Sequence, residues 1–149
     1  SLDLLGRKVL GNSGATLKKF ARLAGALVEA EGVNEKMAEF IDPLAQLGEQ
    51  MTKFTTEIGV KALQNPDEAG AAAVPYLRVA GHLVYGYFFA LMASVALKKI
   101  AAGSTDPFYT AKLQTARFYF ARLFPETTML MRAARAGSAA LMDTDAALA

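Results

Sequence analysis

Apolar positions recur in steps of three and four along almost the whole chain, the repeat of helices that pack on helices. The densest stretch runs from Pro75 to Lys99. Between Arg78 and Lys98 no residue carries a permanent charge. Leu77, Val84, Phe88, Leu91 and Val95 follow the repeat there, with Gly81 in the same register. We read this stripe as the packing seam of a central helix, with Gly81 letting another backbone come close. Val79, Leu83, Tyr85, Tyr87, Phe89, Met92 and Leu97 carry the apolar surface beyond the seam. A helix apolar nearly all round needs cover on several sides, from other helices or from lipid.

The flanking sequence supplies further helices. Leu2 to Leu10 reads as the end of a preceding element, because no capping residue stands before its apolar positions. Gly11-Asn12-Ser13-Gly14 is expected to break it, with Ser13 as the N-cap of a first bundle helix. A phosphate-cradling role for this loop would need a preceding strand and another spacing, so a helix break is the better reading. Leu17, Phe20, Ala24 and Leu27 form the first seam, and Glu31-Gly32-Val33 ends that helix. Asn34 caps a second helix with the seam Met37, Phe40, Leu44, Leu47, Met51, Phe54 and Ile58, where Pro43 should bend or restart it. Asn65-Pro66 opens the third helix, which bends at Pro75, runs to about Ala102 and stops at Gly103. Asp106-Pro107 opens a fourth, with Tyr109, Leu113, Ala116, Phe120, Leu123, Thr127, Leu130 and Ala134 as its seam. Pro125 should kink it and Gly137 end it. No strand alternation is present. The pattern predicts an all-α fold, an up-and-down four-helix bundle with kinked long helices. Residues 1–10 would close a preceding domain, residues 11–137 would form the bundle, and residues 138–149 a small-residue tail. That tail should be poorly ordered at its end, with Leu141 and Met142 able to dock it.

Composition narrows the class. Of 149 residues, 53% are hydrophobic and 20% charged, which fits one ordered domain. A net charge of +2 gives no reason to expect nucleic acid as a partner. Cysteine is absent, which excludes disulfides and thiolate metal sites. Val79 to Leu97 is just long enough to cross a bilayer, and Lys98-Lys99 would suit its edge. That run, however, holds His82, Ser94 and several Gly and Ala, and the neighbouring seams need a partner. Burial in protein is therefore favoured over membrane insertion, and a cytoplasmic protein is expected. No secretory signal is visible, since Asp3 and Arg7 interrupt the first residues. Position 1 is not Met and Leu2 begins in mid-pattern, so a piece of a longer chain is expected, with Ser1 a cloning remnant.

Candidate chemistry is sparse. His82 is the single histidine, with no Cys anywhere and no acid or serine placed locally to orient it. A dinuclear carboxylate site needs Glu-x-x-His from two helices, and Val79 stands where that Glu would be. His82 is thus read as a core or interface residue bonded to a partner. Lys112, Arg117, Arg122, Arg132 and Arg135 read as a solvated face, and Phe118 and Tyr119 as packing residues. Tyr85, Tyr87, Phe88 and Phe89 would suit a ligand cleft, but a core stripe is the safer reading. From the residues alone, no catalytic, cofactor or metal site is assigned, and a packing or accessory domain is expected.

Two stretches carry a resemblance. Leu2-Asp3-Leu4-Leu5-Gly6-Arg7-Lys8 resembles the segment that closes the catalytic domain in one branch of the acyl-CoA dehydrogenases. The remainder resembles the extra C-terminal helical domain of that branch. The matching pieces are Ala73-Val74-Pro75-Tyr76-Leu77-Arg78, Ala101-Ala102-Gly103 with Asp106-Pro107, Lys112-Leu113-Gln114-Thr115-Ala116-Arg117-Phe118-Tyr119, and Leu141-Met142. Ala121-Arg122 departs from the polar pair, such as Glu-His, that the family pattern leads one to expect.

This resemblance implies a parent enzyme that binds FAD non-covalently and oxidises an acyl-CoA to the trans-2-enoyl-CoA. In such enzymes a glutamate takes the α-proton, flavin N5 accepts the β-hydride, and an electron-transfer flavoprotein takes the electrons. All of that machinery would lie upstream of Ser1, so this chain alone should be inactive. The domain is expected to pack on its own catalytic domain or on a neighbouring subunit, and a homo-oligomer is an expected state. Tyr85, Phe89 and His82 are the candidate interface residues. The alternative is a stand-alone helical interaction or membrane-peripheral protein without enzymatic activity.

Overall fold

The structure is a computed structural model. It describes the backbone of residues 2–136 and the side chains of residues 14–136, apart from 62, 68 and 69. The expectations for the tail and for Leu141 and Met142 lie outside the described residues. Five α-helices follow one another: α1 (Leu2–Glu31), α2 (Ala38–Gln64), α3 (Pro66–Ala101), α4 (Pro107–Phe118) and α5 (Glu126–Ala136). A 3-10 turn, Glu35–Met37, precedes α2, and a π turn, Tyr119–Leu123, joins α4 to α5. The described residues contain no strand, so the fold is all-α.

Local chemistry explains the boundaries. The Asn34 side chain accepts from the Lys36 amide at 3.1 Å, capping the 3-10 turn. Asn65 accepts from the Asp67 amide at 3.1 Å with Pro66 at the first position of α3, and Asp106 accepts from the Phe108 amide at 3.0 Å with Pro107 next. Gly103 ends the helical run with φ +98°, a conformation that suits glycine. The expected break at Gly11–Gly14 does not occur, and Ser13 is not an N-cap: α1 is continuous through both. Each such residue costs only about 1 kcal/mol or less relative to alanine, and no proline enforces a break. Likewise α2 begins at Ala38, ahead of Pro43, and keeps Pro43 inside it.

Helix α3 is the hub, since α1, α2, α4 and α5 all pack on it. Phe54 stacks on Tyr76 and Leu44 reaches Gly86, so α2 runs antiparallel to α3. Phe20 meets Phe88, and Glu31 meets Ser94, so α1 runs parallel to it. The α2 seam holds as read, with Met37, Phe40, Leu44, Leu47, Met51 and Phe54 buried.

Two seams are corrected. In α3 the bulky stripe faces outward: Leu77, Phe88, Leu91 and Val95 are exposed, Phe88 by 51% and Val95 by 47%. The inner face is Ala72, Val79, Leu83, Gly86, Ala90 and Ala93. Small residues point inward because the neighbours deliver large ones. A Cβ placed on Gly86 would lie 3.0 Å from the Phe124 ring and 3.3 Å from Leu44 Cδ1. The core-stripe reading of the aromatics fails for Tyr85 and Phe88, which are exposed, and the packing reading fails for exposed Phe118. In the fourth seam Leu123 is 49% exposed, and Phe124 takes the inner place at 5%. The Phe124 amide donates to the Tyr119 carbonyl at 2.9 Å, a five-residue step that inserts one residue and turns the face. Pro125, which lacks an amide hydrogen, follows directly, so the helix is interrupted where a kink is expected.

Candidate functional site

The π turn helps to gather one polar cluster, built around His82. His82, on α3, has a side chain only 12% exposed. Its Nε2 lies 2.7 Å from Glu126 Oε2, at the start of α5. Its Nδ1 lies 2.8 Å from the Tyr119 hydroxyl, in the π turn. An ionised carboxylate only accepts, so Nε2–H donates to Glu126. In the neutral ring the Tyr119 hydroxyl then donates to Nδ1. The Tyr119 hydroxyl also has the His82 carbonyl within reach as an acceptor, at 3.3 Å. Arg78 Nη2 reaches Glu126 Oε1 at 3.0 Å. The hydrogen bond from His82 holds the Glu126 carboxyl below its ordinary value, with Arg78 adding to it. Burial pushes the Tyr119 phenol well above its ordinary range. Phe89 stacks on Tyr119 with ring centroids 4.4 Å apart. This cluster ties α3 to the π turn and to α5 without leaving any buried described side-chain polar atom unbonded.

A second polar anchor pins the end of α1. Glu31 is buried and accepts from Ser94 Oγ at 2.7 Å, with Lys98 Nζ at 3.5 Å and Asn34 Nδ2 at 3.4 Å. Its carboxyl is held low, first by Ser94, against the opposing effect of burial. Ser94, a polar residue in an otherwise apolar run, is thus explained by this partner.

The candidate interface residues divide. Tyr85 is exposed, whereas Phe89 and His82 are engaged inside the chain. What α3 presents outward is Tyr85 together with the stripe Leu77, Phe88, Leu91 and Val95. Phe108 of α4 borders its later half, where Phe88, Leu91, Val95 and Phe108 line a groove of about 420 Å³. By length and composition Gly70–Ala101 would also cross a membrane, but its inner face is packed with protein. Sequence reasoning missed Tyr119 and Glu126 as partners of His82, and Arg78 as a partner of Glu126. They sit on other turns or other helices, and only folding brings them together. Among the basic residues, Arg117 pairs with Glu39 at 2.7 Å and Arg135 with Glu57 at 3.3 Å, and both remain on the surface. Among the described residues no group of three or more His, Cys, Asp or Glu could hold a metal ion.

Residues 14–145 match the family described as acetyl-CoA dehydrogenase C-terminal like. The chain belongs to that family. It is also similar to the 3-methylmercaptopropionyl-CoA dehydrogenase of Ruegeria pomeroyi, with 34% identity over 128 residues, 83% of this chain. The chain spans 21% of that relative's length. In this acyl-CoA dehydrogenase C-terminal domain, Ala121 and Arg122, the departure from the expected pair, are both exposed on the π turn.

Proposed function

We propose that this domain is an accessory part of an FAD-dependent acyl-CoA dehydrogenase that oxidises an acyl-CoA to the trans-2-enoyl-CoA. On this reading the catalytic glutamate and the flavin site belong to the remainder of the parent, and an electron-transfer flavoprotein takes its electrons. The domain packs through the outer face of α3 on its own catalytic domain or on a neighbouring subunit, and so bears on the acyl-CoA or flavin region. The family match and the dehydrogenase relative support the enzymatic parent. The observation that carries the packing role is the uncharged stripe of large side chains left uncovered on α3.

Purified parent tests both parts. Flavin absorbance that bleaches on addition of an acyl-CoA is the expected result, and a colourless or unresponsive parent would reject the enzymatic reading. Phe88→Ser combined with Leu91→Ser should lower subunit assembly or flavin retention. Unchanged assembly, flavin content and chain-length profile would reject the packing role.

A further inference from the structure

The outward stripe of α3 is longer than its bulky part. In unbroken steps of three and four it extends back from Leu77 through Val74 and Gly70 to Asp67, and on from Val95 to Lys98. All of it lies within the one continuous helix. Val74, Gly70 and Asp67 are exposed. The Lys98 side chain is 75% exposed, although its Nζ lies 3.5 Å from Glu31. Strict three-four spacing on an uncovered face calls for another helix, held by knobs-into-holes packing.

The face has room for one. Leu77, Gly81 and Val84 open on a trough of about 820 Å³, and Phe88, Leu91 and Val95 on the groove of about 420 Å³. Phe20 of α1 and Phe108 of α4 border the stripe. A Cβ placed on Gly70 or Gly81 would meet nothing within 4 Å. No described atom calls for glycine at either position, whereas a second backbone lying close outside would.

The stripe fits a copy of itself in one direction. Laid antiparallel with Gly81 opposite Val84, two copies of α3 set Leu77 opposite Phe88, Val74 opposite Leu91 and Gly70 opposite Val95. In each layer a smaller residue meets a larger one. At the two ends Asp67 of one copy meets Lys98 of the other. A parallel pair would set Asp67 on Asp67 and Lys98 on Lys98, so charge selects the antiparallel direction. We propose that the outward face of α3 is covered by α3 of a second copy of this chain, packed antiparallel along this seam. The proposal rests on the packing role given above and names its partner. The pairing belongs to the parent, where the rest of each subunit can hold two copies at a high effective concentration.

Cysteines test it, because this chain has none of its own. Val74 and Leu91 stand roughly 25 Å apart along one helix, beyond the reach of a disulfide within a chain. In the full-length parent, Val74→Cys with Leu91→Cys should nonetheless link two chains, at least ten-fold faster than Val74→Cys with Asp42→Cys, which places the second thiol on an exposed turn of α2. Linked peptides identified by mass spectrometry report the bond. Asp67→Lys should slow the first pair several-fold, and Glu49→Lys on α2 should leave it unchanged. Equal rates for the two pairs, or no effect of Asp67→Lys, would overturn the proposal. So would Leu91→Cys alone linking two chains as fast as the pair, since the seam would then be parallel. If Phe88 and Leu91 are protected from hydroxyl radicals in the parent, relative to this chain alone, while no interchain bond forms, the packing role stands and the second copy is rejected. Equal labelling with no bond rejects both.

Discussion

Gly86 sets how closely α3 can approach its neighbours. Gly86→Ala gains helix propensity of about 1 kcal/mol but drives a methyl into the Phe124 ring and Leu44, an overpacking cost of about 1–3 kcal/mol. A net loss of stability is expected in urea unfolding. Gly59→Ala meets open space on an exposed turn of α2 and should instead gain up to about 1 kcal/mol. The two buried or bonded carboxyls predict an acid response. Glu126 and Glu31 both have folded values below the ordinary 4.5. Their contribution is therefore fully present above about pH 4.5 and is lost as pH falls through the lowered values. The urea midpoint should fall on that acid side, and Glu126→Gln should flatten part of the fall. An unchanged acid limb in Glu126→Gln would show that the His82 bond does not operate. Of these details, His82 as a bonded core residue was legible from a lone histidine on an apolar helix. Its partners were not, because Tyr119 and Glu126 are set by long-range packing.

At the scale of elements, periodicity located the helices well, and the caps at Asn34, Asn65 and Asp106 are visible in the sequence because asparagine or aspartate satisfies free amides there. Periodicity fails where the backbone leaves the α repeat. The π turn at Tyr119–Leu123 inserts one residue, so a strict count places Leu123 inside when Phe124 is the residue buried. The register is testable. Phe124→Ala should cost about 3–5 kcal/mol, whereas Leu123→Ala should cost well under half as much. Comparable losses in denaturant unfolding would contradict the inserted residue. The run through Gly11–Gly14 shows the converse error: residues that favour turns do not end a helix whose flanks are helical on both sides.

For the whole molecule, α3 has two apolar faces, and sequence pattern cannot say which is inward. Bulk suggests the stripe of Leu77, Phe88, Leu91 and Val95. The core instead takes the face of Ala72, Gly86, Ala90 and Ala93, because Phe40, Leu44, Phe120 and Phe124 already fill the interior. The excess apolar surface noticed in the sequence is therefore the outward face, which the proposed function assigns to packing on the rest of the parent. Hydroxyl-radical footprinting of Phe88 and Leu91 in the intact parent, compared with this chain alone, tests that claim most directly. The account predicts strong protection of both residues in the parent, with exposed Phe118 as a reference on another helix. Equal labelling of Phe88 and Leu91 in the two samples would contradict it.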